Sequence, residues 1–179
     1  MTEETKAFTK IYKEIGELKK KVEEVEILVM KHEEQFYLYY GMELNSKQQE
    51  DRSKELSEMA QNTFRIYDSM QDILQKMILV AEKSPYGITD KILDTTTASL
   101  FSDLEFARNK ALTEDQTEFM AKHVIYAYKN FVWDVIKLHR NLDPGINLQT
   151  FRNISDKLNS LNPDKSQDKH TKICDRDSR

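Results

Sequence analysis

The chain has 179 residues, of which 32% are charged and only seven are glycine or proline (4 Gly, 3 Pro). So few turn formers among so many charges argue against a sheet protein and for long solvated helices, in one domain or in one domain with a protruding coiled coil. The net charge of −4 gives no support to a general nucleic-acid binder, and a single cysteine, Cys174, rules out an internal disulfide or a cysteine zinc cluster.

The first element is the most informative. Phe8, Ile11, Ile15, Leu18, Val22, Val25, Val29, His32, Phe36 and Tyr39 follow one another in an unbroken 3-4 spacing, and the residues between them are mostly Lys and Glu. This is a heptad seam, and so narrow a stripe must pack against another helix, from the same chain or from a second copy. Glu3 and Glu4 place acid in the first turn of a helix starting near Thr2. Phe8, Ile11, Ile15, Leu18, Val22, Val25, Val29 and His32 are the candidate oligomer seam, with β-branched residues at Ile15, Val22 and Val29 compatible with two strands. His32 is the polar member, read as a register-setting residue before a pH-sensitive or metal-linked one.

Beyond Tyr39 the seam fails, and Gly41, Asn45 and Ser46 are weak helix formers. A turn or kink is expected between Gly41 and Lys47. Four aromatics crowd the end of the first helix, Phe36, Tyr37, Tyr39 and Tyr40. Closing the core at the turn is the first reading of them; since they cannot all face one stripe, they are also the candidate surface for a macromolecular partner.

A second 3-4 run follows at Leu56, Met59, Thr63, Ile66, Met70, Ile73, Met77 and Val80, and stops at Ser84-Pro85-Tyr86-Gly87. Its one-residue register offset and the glycine between the runs favour an antiparallel hairpin over one continuous helix. Residues 89–110 read as helical, weakened by Thr95-Thr96-Thr97 and with Ser102 and Glu105 as a capping box that restarts a helix. Thr113 and Gln116 form a clearer capping box. They open a helix carrying Met120, Val124, Ala127, Phe131, Val135 and Leu138, widened by Tyr128, Val132 and Trp133. Asp143-Pro144-Gly145 ends it. Asn147 can cap a last helix with Leu148, Phe151, Ile154, Leu158 and Leu161, and the polar residues after Pro163 read as disordered.

The expected fold is therefore all-α: a long coiled-coil helical hairpin over 1–83, C-terminal helices forming a bundle over 84–162 around Phe119, Phe131 and Trp133, and a polar tail over 163–179. Neither a phosphate-binding loop nor a dinucleotide fingerprint can be built from four scattered glycines. None of the four histidines has a Glu three residues before it, so the di-iron pattern of helical bundles is missing, and no metal or other cofactor is expected. No acid–base pair or nucleophile indicates an enzyme. The absence of an 18-residue apolar run and of an apolar leader argues against a membrane and for the cytoplasm. These features favour a non-catalytic assembly or adaptor protein, a homo-oligomer and most readily a dimer, which binds a protein partner through its helices. The alternative is a small nucleic-acid-associated subunit or inhibitor of the kind mobile elements encode, which net charge does not support.

Overall fold

In the computed structural model, residues 3–84 and 92–143 are described. They form four helices and no strand: α1 (Glu3–Leu38), α2 (Ser46–Lys83), α3 (Thr95–Ala107) and α4 (Glu114–Leu142). The proposed last helix, the polar tail and Cys174 lie outside the described residues.

Local chemistry sets the helix ends. Gly41 takes a positive φ of 74° in the α1–α2 turn, a conformation that costs a side-chain-bearing residue more. Asn45 then caps α2: its side chain accepts from the Gln48 amide at 2.8 Å, while Gln48 returns a bond to the Asn45 amide at 3.0 Å. The Thr113–Gln116 box opens α4 as expected from its sequence. The expected restart at Ser102 is not found. The helix starts at Thr95 and runs through Ser102 and Glu105, because Asp94 accepts the Thr97 amide at 2.8 Å and caps the threonine run itself. β-branched residues are least costly in a first turn, where no preceding turn crowds them.

Ion pairs fix the directions of the helices. Glu14–Lys76 and Lys31–Glu55 (3.1 Å) make α1 and α2 antiparallel. Glu33–Lys122 (2.7 Å) and Glu26–Lys129 (3.7 Å) make α1 and α4 antiparallel as well. Each of the three long helices packs on the other two, and α3 lies chiefly on α4. The α1 seam therefore serves two neighbours. Phe8, Ile11, Ile15, Leu18, Val22, Val25, Val29 and His32 are all buried in the company of α2 and α4.

The expected centre of the bundle is corrected as well. Phe131 is fully buried and meets Phe101 of α3 at 5.6 Å between ring centroids. Phe119 and Trp133, by contrast, are 58% and 56% exposed. With α1, α2 and α3 around α4, one arc of the helix is left uncovered, and these two aromatics fall on it.

Candidate functional site at the aromatic end of the bundle

The end of α1 and the turn after it carry a cluster of apolar side chains in solvent. Phe36, Tyr37, Leu38, Tyr40 and Met42 are all more than half exposed, Tyr37 reaching 78%. Phe36 packs edge-on to Tyr37 at 5.6 Å and lies 5.9 Å from Tyr40, so the rings support one another instead of entering the core. Tyr39 is half-buried and lines a groove of about 230 Å³ with Gln35, Leu44, Gln48, Arg52 and Glu55. Of the four expected surface aromatics, three thus stand outward and the fourth turns into the adjoining groove.

Just below the tip lies a charged network. His32 is 3% exposed, and both of its ring nitrogens face carboxylates: Nδ1 meets Glu118 at 2.7 Å and Nε2 meets Glu114 at 2.9 Å. Arg52 of α2 donates through Nε to the same Glu114 at 3.0 Å. Lys122 links Glu118 at 3.0 Å to Glu33 at 2.7 Å. The network joins α1, α2 and α4 one turn from Phe36, so the aromatic tip adjoins a point where α1 is tied to both neighbours. Arg52 and His32 hold the Glu114 carboxyl below its ordinary value. Burial works against ionisation of Glu118, but its bonds to Lys122 and His32 prevail and hold it low as well.

A second polar cluster lies at the opposite end, where the N-terminal half of α1 meets the C-terminus of α4. The Thr5 hydroxyl donates to the Asp143 carboxylate, so its oxygen accepts from His139 Nε2 at 3.2 Å. His139 Nδ1 is then an acceptor, and the Tyr12 hydroxyl donates to it at 2.7 Å. Phe8 stacks on the imidazole at 4.7 Å between centroids. A Thr–His–Asp set suggests a nucleophile, but here the threonine proton goes to the aspartate, and His139 is fully buried. The arrangement ties α1 to α4 and keeps the imidazole neutral.

That neutrality has a measurable consequence. Burial pushes the His139 imidazole below its ordinary 6.5, and the Asp143 carboxylate opposes this only in part. Below 6.5 the unfolded chain takes up a proton that the fold resists, so the unfolded state binds more protons. Stability is therefore fully present above 6.5 and declines as pH falls through the window below it. The Glu114 and Glu118 contributions persist lower, above 4.5, and are lost under that value. Chemical denaturation as a function of pH should show the upper decline in the parent chain and its flattening in His139→Gln; an equal slope in both would remove His139 as the cause.

Neither cluster was visible in the sequence. His32 stood out as the polar member of a seam, but Glu114 and Glu118 lie more than 80 residues away and look like ordinary surface acids of a helix start. Among the described residues no group of three or more His, Cys, Asp or Glu could hold a metal ion, and no helix is long and apolar enough to cross a membrane. Several cations pair with acids: Lys19 with Glu23 at 2.5 Å, and Lys122 and Lys129 with α1 glutamates. No family model, curated protein or solved structure matches the chain.

Proposed function

We propose that this all-α protein is a non-catalytic adaptor that holds a protein partner at the aromatic end of its helix bundle. One observation carries the reading: Phe36, Tyr37 and Tyr40 pack on one another in solvent, and Leu38 and Met42 are exposed at the same end of the bundle. Together the five side chains expose roughly 500 Å² of apolar surface, comparable to the largest apolar patch of a typical monomer, which is often functional. Aromatic side chains with few rotatable bonds lose little entropy on capture, which is why they dominate binding hot spots. The His32–Glu114–Arg52 network supports the reading from below, because a hot spot beside a point where helices are tied together needs less ordering on binding. The groove beside Tyr39 would receive a side chain of the partner. A cytoplasmic setting fits a chain with one cysteine.

The test is a photo-crosslinking amino acid placed at Tyr37 or Tyr40 of the full chain in its host cell. A discrete protein adduct is expected at both positions. It should fall by about tenfold when Phe36 is replaced by Ser, with an unchanged melting temperature, since the cluster lies outside the core. Equal labelling from Lys10, far from the tip, would show that the cluster has no specific partner.

A further inference from the structure

We propose that the uncovered face of α4 is a two-fold interface with a second copy of this chain, the two α4 helices packing antiparallel about Tyr126. Phe119, Tyr126 and Trp133 are 58%, 58% and 56% exposed and follow one another at intervals of seven residues. They form one stripe along α4, with steps of about 10.5 Å. Met30 of α1, 60% exposed, widens it. The Glu33–Lys122 and Glu26–Lys129 ion pairs bracket Met30 on one helix and Tyr126 on the other, which puts the two side by side.

The pattern of the stripe selects its occupant. Phe119 and Trp133 lie seven residues to either side of Tyr126, while Asp115 and Lys137, both exposed, lie eleven residues to either side. Residues eleven apart stay in line on an α-helix, so Asp115, Tyr126 and Lys137 share the face. Read along the helix, the face runs acid, aromatic, aromatic, aromatic, base. Such a series is its own antiparallel complement. With Tyr126 on the axis, Phe119 meets the second copy's Trp133, and Asp115 meets the second copy's Lys137, each contact occurring twice by symmetry. A parallel pairing would instead set Asp115 against Asp115 and Lys137 against Lys137. Three aromatics and a methionine from each copy bury a total of roughly 1,000 Å², the lower end of specific interfaces, which suits a micromolar dimer. The α1 seam takes no part, since it is filled within one chain, and the aromatic tip stays free. The dimer and the tip can therefore each fail without the other.

Sedimentation equilibrium of the full chain tests it. The mass should rise with concentration from 21.1 kDa toward twice that value. Tyr126→Glu should weaken association about tenfold or more without changing the circular dichroism, because two carboxylates would meet on the axis. Asp115→Lys and Lys137→Asp should each weaken it by a similar factor, and the combined Asp115→Lys/Lys137→Asp chain should restore it. Asp115 also stabilises the first turn of α4 and Lys137 offsets the Asp94 and Asp134 carboxylates, so a second measurement avoids charge changes altogether. Tyr126→Cys in a Cys174→Ser background should form a disulfide-linked dimer under mild oxidation, both sulfurs lying at the axis. A chain that stays monomeric at several hundred micromolar, whatever else covers the face, overturns the proposal. So does a dimer indifferent to Tyr126→Glu, or a charge exchange that fails to restore association.

Discussion

Phe131→Ala should lower the stability of the fold by about 3–5 kcal/mol, while Phe119→Ala on the same helix should change it by less than about 0.5 kcal/mol. Phe131 is fully buried against Phe101, in the layer where α3 closes over α4. Truncation there removes the transfer energy of a whole ring and leaves a cavity that four packed helices cannot collapse into. Phe119 loses only the half of its surface that rests on the protein. Urea denaturation, at a concentration low enough to keep the chain monomeric, measures both. Equal losses would mean that α3 does not cover α4 as described, or that the outer arc of α4 is covered by something else.

Val22→Asp combined with Val25→Asp should abolish the cooperative fold. Val22 is 3% exposed and Val25 is fully buried, and both lie mid-seam between α2 and α4. A carboxylate there loses its hydration among the apolar side chains of the core. Each should cost several kcal/mol, against a total stability of about 5–15 kcal/mol for a domain of this kind. Far-UV circular dichroism should show most of the helix lost, since helices of this length owe their stability to the shared face. The outcome distinguishes two roles for the seam. If it served only an interface between copies, the double variant would give a folded monomer. If it is the core of one chain, as the burial requires, no folded monomer remains.

The helices themselves were legible because helix formation is local. The 3-4 spacing of Phe8 to Val29, the glycine at 41 and the Thr113–Gln116 box each act within a few residues, and each appears where its residues put it. The start of α3 differs from expectation for the same kind of reason. Asp94 is an ordinary cap, but the threonine run behind it looked like an obstacle until its place in the first turn was known. The aromatic end is an intermediate case. Four aromatics in five positions showed that some had to leave the stripe, yet only the fold shows that Phe36, Tyr37 and Tyr40 are the ones in solvent while Tyr39 faces a groove.

Residue spacing and capping alone require an all-α chain with a seam that had to be buried. Periodicity and capping follow from the geometry of a single helix, and the sequence carries both. Packing between helices selects what fills the seam, which aromatics of α4 face inward, and which carboxylates meet His32. These are long-range matters. A 3.5-residue repeat is satisfied equally by α2, by α4 or by a second copy, and only the simultaneous packing of three long helices chooses among them. The uncovered arc of α4 and the exposed tip are what that choice leaves over, and the candidate interaction surfaces lie there.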